Sequence, residues 1–115
     1  MTSVQPSRGE IWFVNLDPTK GRELAGSRPA IVLSVDPFNH GPADLVVVIP
    51  VTSKAKGIPF HVAVRPPEGG LKQESFIKCE DVRSISKERL LRRLGMVSNQ
   101  TMEEVEDRVR ILLGL

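Results

Sequence analysis

The chain has 115 residues, of which 40% are hydrophobic and 26% charged, and it carries 16 Lys and Arg against 14 Asp and Glu. These proportions are those of an ordinary globular domain, and they exclude disordered, collagen-like and coiled-coil chains. A chain of this length can bury about two thirds of the surface that its unfolded form exposes, so we expect one domain over residues 1–115. The sequence contains neither an apolar run of membrane-spanning length nor a signal peptide, which predicts a cytoplasmic protein.

Strand signals dominate the first half of the chain. Residues 1–7 are predicted to be a flexible tail, and residues 10–16 alternate so that Ile11 and Phe13 face one way and Trp12 and Val14 the other. Residues 17–28 lack an apolar period and predict a long loop. Two runs rich in β-branched residues, 29–34 and 45–50, then predict central strands.

The second half predicts shorter strands and a helix. After a polar loop over 52–59, the pattern predicts strands at 60–64, 75–78, 80–85 and 93–97, with a helical turn at 87–90. Ser98 is the expected cap of a terminal helix whose apolar residues recur at helical spacing: Met102, Val105, Val109 and Leu112. We therefore expect a mainly β fold with a C-terminal helix, in which antiparallel strands form a bent sheet or small SH3-like barrel.

Candidate chemistry is concentrated at two strand ends. The sequence has no phosphate-binding Gly-rich loop, no paired-Cys motif and no nucleophile elbow. If the two central strands are antiparallel neighbours, the start of one lies beside the end of the other, and Arg28 meets Thr52. A guanidinium with a hydroxyl beside it can stabilise negative charge on a phosphoryl group. By themselves the two residues also fit a surface ion-pair partner and a turn former.

Other polar residues have two readings each. His61, which follows the polar loop after the second of the two central strands, is either a proton carrier or a polar strand residue. His40 fits a solvated turn, and Cys79 fits a small buried hydrophobe. The basic residues gather in clusters that include Lys54, Lys56 and Arg83, which indicates either phosphate contacts or solvated surface charges.

Ordered motifs cover nearly the whole chain, at the runs 8–12, 17–23, 25–30, 50–53 and 56–60 and again at 81–85, 89–90 and 95–98. Their order and spacing give the chain a resemblance to the MazF/PemK family of toxin endoribonucleases. It implies a PemK-like barrel, a homodimer with single-stranded RNA in a groove at the subunit interface, and cleavage without a metal or other cofactor. It also implies a cognate MazE-like antitoxin that blocks the groove.

The resemblance also implies roles for particular residues. Its catalytic arginine and threonine fall on Arg28 and Thr52, and attack of the ribose 2′-hydroxyl would leave a 2′,3′-cyclic phosphate and a 5′-hydroxyl end. Arginine stays protonated near neutral pH, so Glu23, His61 or water must accept the 2′-hydroxyl proton. Ser53 is a further candidate supporting residue. The candidate RNA contacts are Lys54, Lys56, Asn39 and Arg83.

Two departures from the family pattern affect recognition of the substrate. The chain reads Gly21-Arg22-Glu23-Leu24 where many relatives have Gly-Ser-Glu-Gln, and Glu80-Asp81 where many have an acid followed by Gln. The cleavage sequence therefore does not transfer from relatives. The alternative function is a non-catalytic toxin or binding module on the same barrel, such as a topoisomerase poison.

Overall fold

The computed structural model describes residues 5–115 as one bent antiparallel sheet with a helix packed against it. The seven strands are β1 (Glu10–Asn15), β2 (Ser27–Val32), β3 (Leu45–Thr52), β4 (His61–Val64), β5 (Ser75–Lys78), β6 (Arg83–Ser86) and β7 (Leu90–Met96). The helices are α1 (Asp36–Asn39) and α2 (Asn99–Leu113), and 3₁₀ turns cover Glu68–Gly70, Cys79–Asp81 and Lys87–Arg89. The predicted mainly β fold with a terminal helix is confirmed.

The sheet stays open rather than closing into a barrel. Its strand order is β4-β5-β3-β2-β1-β7, and β6 pairs with β3 outside that path. Strand β3 changes partner along its length, because its residues 45–48 pair with β6 and Val51 and Thr52 pair with β5. Pro50, which has no N–H to donate to a sheet, lies between those two pairings.

Two apolar clusters pack on the two faces predicted from the alternation in β1. One cluster contains Ile11 and lies under α2, whose buried residues include Met102, Val105 and Val109. The other contains Val14, with Trp12 packed against it. The Ser98 side chain accepts a hydrogen bond from the backbone N–H of Thr101, so the predicted cap of α2 is present.

Several segments differ from the sequence-based expectation. The last strand, predicted over 93–97, begins earlier and covers Leu90–Met96. The predicted strand over 80–85 begins only at Arg83, because a 3₁₀ turn occupies Cys79–Asp81. Helix α1 was not predicted, since four residues are too few for a helical period. Residues 1–4 of the predicted tail lie outside the described residues, whereas Pro6 is fully buried and the Ser7 N–H donates to the Glu10 carboxylate at 2.7 Å. The predicted tail is therefore too long at its C-terminal end.

Candidate active site

Arg28 and Thr52 come together where β2 begins and β3 ends, and both line the same clefts. The antiparallel pairing of the two strands ends at Ala30 and Pro50, and Arg28 and Thr52 each lie two residues beyond that end. Thr52 is buried, and its Oγ1 accepts a hydrogen bond from the backbone N–H of Lys54 at 3.2 Å. The Arg28 Nε donates to the Ala25 carbonyl at 2.9 Å, which orients the guanidinium while its terminal nitrogens have no partner within residues 5–115.

The two residues line a large cleft, called here the first cleft, of about 660 Å³. Its walls come from the β1–β2 loop, the segment after β3, and the start of β4 with the end of β5 and its 3₁₀ turn. The lining side chains are mostly polar: Arg22, Glu23, Leu24, Arg28, Thr52, Lys54, Lys56, Ile58, His61, Lys78, Glu80 and Asp81.

Two acidic residues of the first cleft are held by other side chains of the protein. The Glu80 carboxylate lies 3.0 Å from Nε2 of His61, whose side chain is only 4% exposed. Asp81 accepts a hydrogen bond from the backbone N–H of Leu24 at 3.0 Å and forms an ion pair with Arg83 at 2.7 Å. Because Leu24 belongs to the β1–β2 loop, Asp81 fastens that loop to the wall of the cleft.

Arg28 and Thr52 also line a smaller cleft, called here the second cleft, of about 300 Å³. The Arg92 guanidinium lies 4.8 Å from the centroid of the Phe13 ring in its wall. Its charged residues are Arg28, Lys72 and Arg92, so every charged side chain that lines the second cleft is basic. Its lining is completed by Pro29, Val51, Thr52, Ser53, Gly70, Leu71, Gln73, Ser75 and Leu94.

Basic charge is concentrated in the two clefts. Their linings together hold seven Lys and Arg side chains against three Asp and Glu, whereas the whole chain has 16 against 14. The remainder of the chain therefore carries more acidic than basic residues. A basic surface of this kind attracts a polyanion by electrostatic steering and by release of its counterions.

Most of the sequence-predicted site residues come together at the clefts. Glu23, Lys54, Lys56 and His61 line the first cleft with the catalytic candidates, and Ser53 lines the second. Glu23 is exposed, and one of its carboxylate oxygens accepts a hydrogen bond from the backbone N–H of Lys20 at 2.8 Å, within the loop.

Two predicted RNA contacts are placed elsewhere. Asn39 is fully buried, and its side-chain amide donates to the Ser34 carbonyl at 2.8 Å, so it fastens α1 to the sheet and cannot reach RNA. Arg83 does not line the first cleft, because its 14% exposed side chain is paired with Asp81. The prediction of Asn39 as an RNA contact is wrong, and Arg83 supports the cleft wall through Asp81.

Lys72, Lys78 and the Phe13–Arg92 pair were not singled out from the sequence. The contact of Arg92 with Phe13 depends on the pairing of β7 with β1. No sequence signal specifies which strand pairs with the last one. Lys72 follows a turn and Lys78 ends a strand, and neither belongs to a recognisable sequence motif.

The surroundings of the Cys79 thiol exclude it as a reactive centre. Burial, with a contribution from Glu80, raises the pKa of the Cys79 thiol to about 12, so the thiol stays protonated and is a poor nucleophile. The reading of Cys79 as a buried hydrophobe is confirmed.

Residues 5–115 contain no cluster of three or more His, Cys, Asp or Glu side chains placed to hold a metal ion. No helix in that range is long and apolar enough to cross a membrane.

Comparison with known proteins gives matches over nearly the whole chain. A family model described as PemK-like, MazF-like toxin of type II toxin-antitoxin system matches residues 7–113. The Endoribonuclease MazF9 of Mycobacterium tuberculosis is 40% identical over 113 residues, which cover 94% of this chain and 96% of the relative.

Solved structures show the same architecture. The crystal structure of MazF (Form-I) from Deinococcus radiodurans matches with a TM-score of 0.88 at 31% identity, covering 98% of this chain and 100% of that one. The crystal structure of MazE-MazF (Form-II) from the same organism matches with a TM-score of 0.80 at 28% identity, covering 98% and 99% of the two chains.

Proposed function

The chain belongs to the PemK-like, MazF-like toxins of type II toxin-antitoxin systems and is an endoribonuclease of that family, and we propose that it cuts single-stranded RNA between the two clefts, at Arg28 and Thr52. The substrate we propose is messenger RNA, whose cleavage in the cytoplasm stops translation and growth. The topoisomerase-poison alternative receives no support from these matches, which are to toxins named as endoribonucleases or as MazF.

The observation that carries the site is the shared position of Arg28 and Thr52 in both cleft walls. A single strand that occupies both clefts must pass this pair, so the phosphodiester at that point is held by the cations on both sides. The protein recognises the RNA sequence through the exposed edges of unstacked bases and not through the groove of a duplex, as is usual for single-stranded RNA.

The reaction we propose is transesterification within the RNA. The 2′-oxygen attacks the adjacent phosphorus, the bond from phosphorus to the 5′-oxygen breaks, and the products are a 2′,3′-cyclic phosphate and a 5′-hydroxyl end. Arg28 stabilises the negative charge that builds on the phosphoryl oxygens, and the Thr52 hydroxyl donates one more hydrogen bond. The proton of the 2′-hydroxyl passes to Glu23, to His61 or to water, and the 5′-oxygen gains a proton on leaving.

The experiment that tests this function uses purified protein, a long RNA and EDTA. We expect discrete cuts with 5′-hydroxyl ends, a loss of about 10³-fold in cleavage rate for Arg28→Ala, and a smaller loss for Thr52→Val, because losing a charged donor removes more stabilisation than losing a hydroxyl. Thermal unfolding shows whether both variants remain folded. A folded Arg28→Ala variant that cuts at the wild-type rate would contradict the site assignment.

We further propose that the toxin is inhibited by a cognate MazE-like antitoxin, whose acidic tail binds the basic clefts and excludes RNA. In support, a crystal structure from Deinococcus radiodurans contains a related MazF together with MazE. Competition is measured by titrating antitoxin into a complex of the wild-type protein with labelled RNA that carries 2′-deoxyribose at the cleavage position. Formation of a ternary complex would refute competition for one site.

We also propose that the active species is a homodimer. Strand β7 is at the edge of the sheet and exposes Leu91 and Met96, which are 54% and 50% accessible. Exposed apolar side chains on an edge strand favour association with another chain. Sedimentation equilibrium should give twice the 12.7 kDa of one chain, and a fully active monomer would contradict this expectation.

A further inference from the structure

Phe13 and Arg92 form a stacked pair in the second cleft that the chemistry at Arg28 and Thr52 does not use. The pairing of β1 with β7 sets the two residues directly opposite each other, between two bulges in the ladder. The register therefore places the two side chains side by side, and the guanidinium carbon lies 4.8 Å from the ring centroid.

Arg92 differs from its neighbour Arg93 in what balances its charge. The Arg93 Nε donates to the Glu10 carboxylate at 2.5 Å. Within residues 5–115, Arg92 is exposed and has no carboxylate partner, and only the Phe13 ring faces its guanidinium. A guanidinium supported on one face by an aromatic ring offers its other face to a planar ligand.

The size and charge of the second cleft fit one nucleotide. Its volume of about 300 Å³ lies at the lower end of the range for ligand sites, roughly 300–1,000 Å³. Lys72, which has no ion-pair partner within residues 5–115, adds a free cation to its wall. The cleft adjoins Arg28 and Thr52, so its occupant would be next to the reacting phosphate.

We propose that the second cleft is a subsite for a nucleotide that flanks the scissile phosphate. Its base stacks on the Arg92 guanidinium, which Phe13 supports from behind, and its outer phosphate contacts Lys72. This inference rests on the proposed function, since it takes Arg28 and Thr52 as the point of cleavage. An acidic peptide would need only the cations, whereas the stacked pair matches the flat face of a base.

Stacking recognises the π-face that all bases share, so the subsite adds affinity at one position without selecting one base by its hydrogen-bonding edge. The first cleft, which presents carboxylates and amines, is then left to discriminate between bases. The two clefts divide affinity and sequence selection between them.

The test begins by mapping the cuts that the wild-type protein makes in a long RNA. Oligonucleotides centred on one cut are made with 2′-deoxyribose at the cleavage position, which prevents reaction, and with an abasic residue at each flanking position in turn. Fluorescence anisotropy then gives their affinities for wild-type protein, Arg92→Lys and Phe13→Leu. Arg92→Lys keeps the charge but removes the planar surface, and it changes an exposed side chain, so it should fold.

We expect one flanking position at which the abasic residue lowers wild-type affinity by about tenfold. Arg92→Lys should bind the intact oligonucleotide more weakly by a similar factor and should be insensitive to the abasic residue at that position. Arg110→Gln, which removes an exposed charge on α2 away from both clefts, should keep the wild-type pattern.

Three results would overturn the proposal in distinguishable ways. An equal abasic effect in wild type and Arg92→Lys would remove the stacking role while leaving the nuclease intact. Weaker binding of an acidic antitoxin peptide by Arg92→Lys, with an unchanged abasic pattern, would show that the Arg92 guanidinium contacts the antitoxin and not a base of the RNA. A wild-type protein that does not cut RNA would overturn the proposed function and the subsite together.

Discussion

The two clefts share Arg28 and Thr52 but are built in opposite ways. In the first, carboxylates are placed among the cations, with Glu80 against His61 and Asp81 between Arg83 and the β1–β2 loop. In the second, Arg28, Lys72 and Arg92 are the charged residues, and none of them pairs with a carboxylate of the described residues 5–115. One wall is shaped by internal pairs, and the other presents free charge.

This difference separates the tasks of shaping a site and attracting a ligand. A charged side chain that already has an ion-pair partner loses less hydration free energy when a ligand covers it. It also contributes less to the attraction of a polyanion. The first cleft should therefore depend on its pairs for shape, whereas the second should depend on close packing of its backbone for shape and contribute more of the attraction.

Glycine substitutions should affect the two clefts very differently. Gly70, beside the second cleft, has a φ of +73°, and a Cβ there would lie 2.0 Å from the Leu94 carbonyl oxygen. Gly21, in the loop of the first cleft, has a φ of +61° with no atom within 4 Å of such a Cβ. We expect Gly70→Ala to lower the free energy of unfolding by about 3 kcal/mol or more, because both strain and a clash with backbone oppose it.

Gly21→Ala is the matched control, since only the left-handed backbone conformation opposes the methyl group there. Its expected loss is about 1 kcal/mol. Urea denaturation of both variants measures the difference. Equal losses would mean that the turn at Gly70 can move away from β7 and that backbone packing does not shape the second cleft.

Loss of a paired carboxylate should weaken the first cleft. In Asp81→Asn the Arg83 charge, 14% exposed, loses its partner, while an amide oxygen still accepts the Leu24 N–H. We expect a loss of about 2 kcal/mol in the free energy of unfolding, because a buried charge left unpaired is unfavourable. Urea denaturation measures this loss.

The control for Asp81→Asn is Glu74→Gln, which breaks the pair with Arg65, whose side chain is 82% exposed. Its expected effect is below about 0.5 kcal/mol, since solvent screens such pairs. If both substitutions had the same small effect, the internal pairs would not be what holds the wall of the first cleft.

The proximity of Arg28 and Thr52 was predictable from the sequence because it depends on the order of neighbouring strands. Two β-branched runs predict neighbouring strands, and antiparallel pairing of neighbours brings Arg28 to Thr52 without knowledge of the rest of the sheet. The Phe13–Arg92 contact depends on pairing between the first strand and the last, which no local pattern specifies. The role of Asn39 was missed for a related reason, since four residues in a turn give no sign that they fold back onto β3 as a helix.

The Glu68 carboxylate, in the 3₁₀ turn that contacts the start of α2, should make the stability of the protein depend on pH. Glu68 is partly buried, which raises its pKa, but hydrogen bonds from Thr101 and Ser98 outweigh burial, so the pKa of this carboxyl lies below its ordinary 4.5. The Thr101 hydroxyl donates at 2.6 Å and the Ser98 N–H at 2.8 Å. A folded pKa below the unfolded one gives stability that is present above about pH 4.5 and is lost as the pH falls through the folded pKa.

Glu68→Gln should therefore lower the free energy of unfolding by about 1 kcal/mol at neutral pH, close to the loss of a helix cap. The substitution should lower the free energy of unfolding less at acidic pH, where the wild-type carboxyl is protonated. Thermal unfolding over a pH series measures both, with Glu103→Gln on the exposed face of α2 as the control. A difference between wild type and Glu68→Gln that does not change with pH would contradict this role for the carboxylate.

The smallest expected effect is on the salt dependence of RNA binding, and it compares the two clefts directly. Each phosphate contact by a cation contributes about 0.7 to the slope of log affinity against log salt for a single strand. Lys72, in the second cleft, has no ion-pair partner within residues 5–115, whereas the Nζ of Lys78, in the first, lies 4.0 Å from Asp81 and donates to the Arg22 carbonyl at 3.3 Å. Lys72→Gln should reduce the slope by nearly the full contribution of one contact and Lys78→Gln by clearly less, as measured with an uncleavable oligonucleotide over a series of KCl concentrations. If the two substitutions reduced the slope equally, internal pairing would not diminish the attraction of a cation for RNA, and the division between a shaped cleft and an attracting one would not hold.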